Sequence, residues 1–405
     1  MNKLHFIFLL AMLALLCGWS FSCSEDDDAD SAQDQSDDDD NDNDDDNDNN
    51  DVSPSDDDDD NDDNDDDDND NDNDNDDNDN DTSPIAYEYT IKVDNLPMTD
   101  VTNRLDLFVE HGLSMMLNVR PWDITPDLLT LLAAAREAGV PVIIWPLLDW
   151  NDGSWGCEDT LDAFIENALL VADYIQPQAE AIHQFAINME LGHPEIDELY
   201  EYFANGDWDA AIQLLLDNRD QARFAASLAK VEYLIEELAA RGFSAMVSTY
   251  PFILDDLIDG DPDIQDIADI PMSGAEWARW AFNPYTTEYG ANLGLPLGAD
   301  MVYEYAHDAI ERCGTDVEIT VGIVSADPDV GYDSVEAFAA DIAAAKAGGA
   351  RRIGVYNLPG LLSMDDPEAW IAALETPPTT PPAEPIVGLL RSGVRFVDRL
   401  LDAIP

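Results

Sequence analysis

Basic residues are scarce in this chain of 405 residues, where 17 Lys and Arg stand against 89 Asp and Glu and the formal net charge is −72. A chain this acidic repels the phosphates of nucleic acids and of anionic membrane surfaces, so the composition argues against both as partners. Cysteine is also scarce, with four residues. Cys17 and Cys23 follow an N-terminal apolar run, which leaves Cys157 and Cys313 for the rest of the chain.

The residue patterns of several enzyme classes are missing as well. The first β-rich run after residue 85 continues as VDNLPMTD, without the glycine-rich loop that would cradle a phosphate. No Ser nucleophile elbow and no Cys–His motif stands out. A metal-dependent hydrolase draws on several His, whereas His193 is the one imidazole in a suitable loop. The sequence therefore predicts neither a metal centre nor a cofactor.

Residues 1–23 have the features of an export signal. Lys3 precedes an apolar run at positions 6–16, which is too short to span a bilayer as a mature helix. The segment resembles a bacterial lipoprotein signal, in which cleavage occurs before a cysteine that is then lipidated. Cys23 follows the small residue Ser22 and is the predicted lipidation site, whereas Cys17 follows Leu16. We expect an exported protein that is lipid-anchored at the bacterial cell envelope, on the outer membrane or cell surface, with simple secretion as the alternative.

Residues 24–84 form a linker made almost entirely of Asp and Asn. Positions 25–81 hold 33 Asp and Glu25 without any Lys or Arg, a charge of −34. Such a segment has nothing to bury and repels itself, so we expect it to be disordered and extended. Its predicted role is a tether. An EF-hand loop needs a Gly turn and a terminal Glu, which this segment lacks, so any Ca²⁺ would be held only loosely.

Residues 85–377 repeat one unit, a short β-rich run followed by an amphipathic helix. The predicted strands are 89–94, 114–120, 141–149, 182–190, 244–250, 267–274, 318–325 and 352–357. Alternation of this kind implies a parallel sheet. Eight units in this length favour an α/β fold, a closed (β/α)₈ TIM barrel. Cys157 and Cys313 then fall at opposite ends of the barrel, so we expect no disulfide, and we expect a monomer.

Residues 378–405 comprise a proline-rich linker and an amphipathic C-terminal helix. Arg391, Arg395 and Arg399 recur at four-residue spacing along that helix. The pattern predicts that the helix packs on the barrel or caps its base. A helix lying on a membrane surface is the alternative.

Polar side chains are predicted to face the barrel axis on three strands. Because successive side chains of a strand point to opposite faces, Lys92 and Asp94 share the inward face of the first strand. By the same alternation Asn118 and Arg120 face inward on the second strand, and Asn188 and Glu190 on the fourth. These residues lie at the carboxyl ends of the strands, called the mouth below, where TIM barrels bind ligands. The alternative is a structural network in which Lys92, Asp94 and Arg120 neutralise each other.

Aromatic residues are concentrated in the loops predicted to follow these strand ends, as expected of a surface that stacks on sugar rings. Taken singly, each Trp more often serves packing than ligand binding. The predicted substrate-binding residues are Asp94, Asn118, Arg120, Trp145, Trp150, Asn188, Tyr250, Trp277 and Asn357. Together with Trp122, Trp155 and Trp280, the Trp residues of this set favour a carbohydrate ligand.

The chain resembles the (β/α)₈ glycoside hydrolase superfamily over roughly residues 86–376. The resemblance rests on the architecture and on Asn188-Met189-Glu190 at the fourth strand end, where many such hydrolases carry their acid/base carboxylate. Family 18 chitinases have Asp-x-Glu there. The seventh strand end, GIVSAD, lacks the Glu that two-carboxylate hydrolases place at that position. The resemblance is therefore to the superfamily, with no single family assigned.

Glycosidic cleavage needs one protonated acid and a second group that attacks or stabilises the anomeric centre. Glu190 is the predicted acid, and Asp149 and Glu276 are the first choices for the second group, ahead of Asp94 and Asp327. The leading hypothesis is a surface-tethered carbohydrate-active hydrolase. The rival hypothesis is a non-catalytic barrel that binds glycan or another envelope component, with Glu190 held in an ion pair.

Overall fold

The computed structural model describes residues 85–205, 207–258, 260–327 and 330–402. The predicted signal peptide, the lipidation site Cys23 and the acidic linker lie outside these residues. Eight parallel strands pair in chain order and close into a barrel, which confirms the predicted (β/α)₈ fold. The strands β1–β8 are Glu88–Val93, Ser114–Val119, Val142–Pro146, Ile182–Asn188, Ala245–Thr249, Arg279–Phe282, Val317–Gly322 and Arg352–Tyr356.

Helices fill the connections between the strands. The α-helices are Met98–Thr102, Leu105–His111, Pro126–Ala138, Leu161–Ile175, His193–Asn205, Trp208–Asn218, Gln221–Ala240, Ile253–Asp256, Asp263–Ile267, Thr286–Leu293, Ala299–Cys313, Val335–Ala347, Leu358–Ser363, Pro367–Ala372 and Pro385–Leu401. Short 3₁₀ turns occur at Pro121–Asp123, Trp150–Asp152, Gln176–Ala181 and Ala373–Glu375. The connection from β4 to β5 is the most elaborate, with three helices in succession.

The helix Pro126–Ala138 shows how local sequence determines one unit. Proline at the first position has the backbone angle that a helix start needs and lacks only an N–H that would be unpaired there. Leu128, Leu131, Leu132 and Ala135 recur at helical spacing and are buried against the sheet. Gly139 ends the helix in the left-handed conformation, at φ 75°, which glycine adopts without steric cost. Burial of each leucine contributes roughly 1.5–3 kcal/mol.

The sixth strand was predicted wrongly. The run 267–274 is apolar, and Ala268, Ile270 and Met272 are buried, but it follows the helix Asp263–Ile267 as irregular chain with Asp269 at φ 62°. The strand that completes the barrel is Arg279–Phe282, only four residues long. A buried loop and a buried strand both need apolar residues. The apolar pattern at 267–274 therefore could not distinguish a loop from a strand.

The C-terminal helix Pro385–Leu401 packs on the barrel's outer layer, against the helices Ile253–Asp256 and Asp263–Ile267. Its apolar face is buried, and Arg391 reaches the fully buried Asp255 with Nε at 3.1 Å and Nη2 at 2.9 Å. Packing on the barrel is thereby confirmed.

Within the described ranges, no helix has both the length and the apolar character needed to cross a membrane. Cys157 and Cys313 are both free thiols.

Candidate functional site

The predicted inward polar residues of β1 and β2 meet at the mouth. Asn118 donates a hydrogen bond to Asp94 Oδ1, and the hydroxyl of Tyr356, at the end of β8, donates to Asp94 Oδ2 at 3.0 Å. Arg120 pairs with Asp94 across 3.9 Å and donates to the Leu148 carbonyl at 3.2 Å. Asp94 thus has a cationic partner and two neutral donors, so these residues form one connected group, as the alternation predicted.

Glu190 lies at the carboxyl end of β4 and is 1% exposed. Its Oε2 accepts a hydrogen bond from the Trp155 indole N–H at 2.8 Å, and its Oε1 accepts from Asn283 Nδ2 at 3.4 Å. The amide of Asn188 is close enough to oppose the rise in the pKa of this carboxyl, and neither of its polar atoms has a hydrogen-bond partner within the usual geometric limits. The hydrogen bonds that reach Glu190 therefore come from neutral donors.

Lys92 projects from β1 across the barrel to β6 and is fully buried. Its ammonium donates to Asn283 Oδ1 and to the Tyr285 hydroxyl, both at 3.2 Å, and lies 5.6 Å from the centre of the Trp145 ring. Strands 1 and 6 are not neighbours in the sheet, so these contacts cross the interior. Asn283 consequently connects Lys92 to Glu190.

Burial shifts the pKa values of both Glu190 and Lys92, the two groups that Asn283 connects. Loss of solvation raises the pKa of Glu190 well above its usual range, although Lys92 and the amides of Asn188 and Asn283 oppose the shift. Loss of solvation lowers the pKa of Lys92 to about 8, against the attraction of Glu318, Glu190 and Asp94. A carboxyl that keeps its proton at neutral pH can act as a general acid.

A second buried carboxyl, Glu288, lies on the helix Thr286–Leu293 that follows β6. It is 5% exposed, and burial, together with the charge of Glu190, raises its pKa well above the usual range. Glu190 and Glu288 are therefore two buried carboxyl groups, and the charge of Glu190 disfavours ionisation of Glu288. Neither Glu288 nor Asn283 was predicted, because with the sixth strand placed at 267–274 neither residue falls directly after a strand end.

The loop after β3 covers Glu190. Gly156 N–H donates to the Asn188 carbonyl at 3.0 Å, and a Cβ at Gly156 would approach Met189 Sδ to 3.1 Å, so a small residue suits this contact with β4. The Trp150 and Trp155 rings both lie against His193, which is 1% exposed. Burial and the charge of Arg120 lower the pKa of His193 to about 3, so this imidazole is neutral.

Asp149, predicted as a second catalytic group, serves the same loop as a cap. Its Oδ1 accepts hydrogen bonds from the backbone N–H of Asn151 at 2.9 Å and from Asn151 Nδ2 at 3.0 Å. Asn357, predicted to bind substrate, likewise caps a helix by accepting the Gly360 N–H at 2.9 Å. Both lie at the mouth, but these hydrogen bonds are the local ones that shape loops.

Glu276 and Trp277 are not at the mouth, which corrects two predicted site residues. Both precede β6 and therefore lie at the opposite, amino-terminal end of the barrel. Glu276 is exposed, and the Trp277 indole donates to the Met272 carbonyl at 3.0 Å. Trp280 lies on the β6 face opposite to Asn283 and stacks with Phe282, 5.9 Å between ring centres. The misplaced strand is again the cause.

The remaining predicted residues lie at or below the mouth. Trp145 is inside the barrel under Lys92, 2% exposed, with its indole N–H unpaired. Tyr250 is also 2% exposed and stacks with Phe252 at 4.9 Å. Trp122, by contrast, is 56% exposed beside Arg120. Of the aromatic rim that was predicted, Trp122, Trp150 and Trp155 therefore line the mouth, and Trp145 and Tyr250 contribute to its buried interior.

A cavity of about 250 Å³ opens beside the Asp94 group, lined by the ends of β1, β7 and β8 and including Asp94, Ser325 and Asn357. A larger cavity of about 850 Å³, lined by Asp220, Asp263 and Asp402 among others, contains no mouth residue. The smaller cavity thus lies at strand ends, where TIM barrels bind ligands, although Glu190 does not line it.

Groups of carboxylate and imidazole ligands close enough to share a metal ion occur away from the mouth. In the part of the chain that the structure describes, they are His307–Asp308–Glu311, Asp256–Asp261–Asp398 and Asp261–Asp263–Asp402. None of the three includes Glu190, Glu288 or Asp94.

No protein-family model and no curated protein matches the chain. Among solved structures, it is similar to the PgaB glycoside hydrolase domain from Bordetella bronchiseptica, with 11% identity, TM-score 0.44, and coverage of 71% of this chain and 99% of that one. A family 1 β-glucosidase from Thermotoga maritima has 11% identity and TM-score 0.43, with coverage of 68% and 88%. A D-allulose 3-epimerase from Methylomonas sp. has 10% identity and TM-score 0.38, with coverage of 78% and 98%. At TM-scores of 0.38–0.44 and identities of 10–11%, these likenesses assign no activity to the chain.

Proposed function

We propose that this barrel is a carbohydrate-active hydrolase of the (β/α)₈ glycoside hydrolase superfamily and that Glu190 is its general acid. One observation carries the proposal: a carboxyl at the end of β4 is 1% exposed and hydrogen-bonded by the neutral donors Trp155 and Asn283. Such an environment keeps the proton that a leaving glycosidic oxygen requires.

Glu288 is the second carboxyl of the proposed reaction, in place of Asp149 and Glu276. Its support is its position after β6, its burial and its electrostatic coupling to Glu190. Asp149 is engaged with Asn151, and Glu276 lies at the other end of the barrel.

Substrate must displace the loop that covers Glu190. The Trp155 indole N–H occupies the space next to Oε2 that a leaving oxygen would need. Movement of residues 150–157 would expose the carboxyl together with the Trp150 and Trp155 rings, whose apolar faces could then stack on a sugar. Asp94, Asn118, Arg120 and Asn188 would supply hydrogen bonds to hydroxyl groups.

A non-catalytic glycan-binding barrel is the second candidate function. The observation that favours it is that Lys92, Asn188 and Glu190 are all 0–1% exposed, as expected of a structural polar network. In that case the exposed Trp122 and the small cavity beside Asp94 would hold the ligand without turnover.

Release of reducing ends from a panel of soluble polysaccharides separates the two functions. Glu190→Gln keeps the shape of the side chain and removes the acid, so we expect turnover to fall about 10²–10⁴-fold. Glu318→Gln is the matched control, because Glu318 is equally buried in the same barrel but accepts its hydrogen bond from Thr90 near the opposite end. Binding without turnover, or equal losses in both variants, would contradict the hydrolase proposal.

We also propose that the protein is exported and lipid-anchored through Cys23 at the cell envelope, with the acidic linker as a tether. The support is the sequence of residues 1–84 alone. Metabolic labelling with a radioactive fatty acid should label the wild-type protein and Cys17→Ala but not Cys23→Ala. If labelling is lost in Cys17→Ala instead, the lipidated residue is Cys17. An unlabelled wild-type protein would favour simple secretion.

A further inference from the structure

Lys92 is a buried cation that the proposed reaction does not use directly. It enters from β1 below Glu190, and its ammonium contacts Asn283 Oδ1 and the Tyr285 hydroxyl at 3.2 Å each. Its full burial costs free energy unless the charge has suitable partners. A methionine in its place would fill the same space beside Trp145 without that cost, so the ammonium calls for a specific explanation.

The orientation of the Asn283 side-chain amide explains why an ammonium is present at this position. An amide presents an oxygen on one side and an NH₂ on the other, and either could face Glu190. A lysine ammonium can only donate, so Oδ1 must face Lys92. Nδ2 is then directed to Glu190 Oε1 at 3.4 Å and to Ser248 Oγ at 3.2 Å. Ser248 can both donate and accept, so it does not select an orientation.

We propose that Lys92 is a positioning residue that fixes the Asn283 amide with its N–H side towards Glu190, so that Glu190 Oε1 always meets a donor. Without the ammonium the amide is free to flip, and Oδ1 would then confront the carboxyl oxygen. The flipped form would accept the Glu190 proton in a hydrogen bond and hold it away from substrate. The inference rests on the proposed function in so far as Glu190 is the acid that is being oriented.

The electrostatics agree with this geometry. Lys92 favours the charged form of Glu190 and limits the rise in its pKa that burial causes. The three groups Lys92, Asn283 and Glu190 come from β1, the end of β6 and the end of β4, so the arrangement depends on closure of the barrel.

Infrared difference spectroscopy of the Glu190 carboxyl tests the proposal without any substrate. The band is assigned as the difference between each protein and the same protein carrying Glu190→Gln. A C=O group that loses an N–H donor absorbs at higher frequency, so we expect an upward band shift in Lys92→Met. We also expect the pH midpoint of the band to rise by about 1 unit or more, the size of effect that removal of a nearby opposite charge produces.

Lys346→Met is the matched control. Lys346 is also buried, but its ammonium donates to the carbonyls of Leu374 and Thr376 in the outer layer, at 2.5 and 2.8 Å. We expect it to leave the band unchanged. If Lys92→Met does not fold, Lys92→Leu provides a second neutral substitution that removes the donor. An unchanged band in the Lys92 variants would overturn the proposal.

A double-mutant cycle with Asn283→Leu tests whether Lys92 acts on Glu190 through Asn283. If Lys92 acts through Asn283, the midpoint shift of the double variant is smaller than the sum of the two single shifts. Full additivity would mean that Lys92 acts on Glu190 directly and would overturn the positioning role. Because this readout is spectroscopic, absence of turnover on polysaccharides would contradict the hydrolase proposal and leave the Lys92 result standing, and the reverse also holds.

Discussion

Two carboxyl groups in this protein are equally buried and differ in their partners. Asp255, where the C-terminal helix docks, is 0% exposed and receives Arg391, Arg395 and the Tyr305 hydroxyl within 3.1 Å. Glu190, at the mouth, is 1% exposed and receives neutral N–H groups. A carboxylate with two arginine partners is suited to holding two elements together, whereas a carboxyl with neutral partners retains a proton that it can transfer.

The largest expected contrast is in stability. Asp255→Asn leaves Arg391 and Arg395 without their shared carboxylate, and we expect the free energy of unfolding to fall by about 3 kcal/mol, as for other broken buried pairs. Asp308 still contacts Arg391, so we expect a loss at the lower end of the range of about 3–5 kcal/mol that broken buried pairs show. At pH 5, Glu190→Gln replaces a protonated carboxyl by a neutral amide and should change stability by less than about 1 kcal/mol. Urea unfolding measures both, and an equal loss in the two variants would remove the distinction.

Stability should also fall as pH rises from 5 to 8. Burial raises the folded-state pKa of Glu158 and Glu195 to about 7 and of Asp341 to about 6, and raises that of Glu190 as well. These groups therefore hold protons in the folded state that the unfolded chain has already released above about pH 4.5. Their contribution is full below that pH and is lost as pH rises, with a slope of up to about 1.4 kcal/mol per unit for each proton.

Unfolding of Glu190→Gln across this pH range should give a shallower slope than the wild type. The matched control is Asp173→Asn, since Asp173 is exposed and its hydrogen bond with Arg241 lowers its pKa, which places its effect at more acidic pH. A wild-type protein that becomes more stable towards pH 8 would show that these carboxyls are ionised in the folded state.

The smallest expected effect concerns the donor on the covering loop. Trp155→Phe retains an aromatic ring and removes the hydrogen bond to Glu190 Oε2. A hydrogen bond of this kind contributes about 0.5–1.5 kcal/mol. Because the loop must leave Glu190 before substrate binds, turnover on an accepted polysaccharide should rise by about 2–10-fold. Trp370→Phe is the control, because Trp370 packs on Phe338 in the outer layer. Equal effects would mean that the indole of Trp155 acts through packing alone.

The fourth and sixth strands show how far sequence reasoning reached. Alternation along β4 correctly placed Asn188 and Glu190 on the inward face. The same reasoning failed at β6, where the buried loop 267–274 carries a stronger apolar signal than the four-residue strand Arg279–Phe282. Asn283 and Glu288 were lost with that strand, and Glu276 and Trp277 were assigned to the wrong end.

The sequence by itself determined the barrel, the inward polar faces of β1, β2 and β4, and the position of Glu190 at a strand end. These properties follow from periodicity and from helix-ending glycines, which act over a few residues. Only the tertiary structure decided that Lys92 meets Asn283, 191 positions away, that Asn283 meets Glu190, 93 positions away, and that Trp155 covers the carboxyl. Such neighbours depend on closure of the sheet and on the register of strands distant in the chain, which no local pattern encodes.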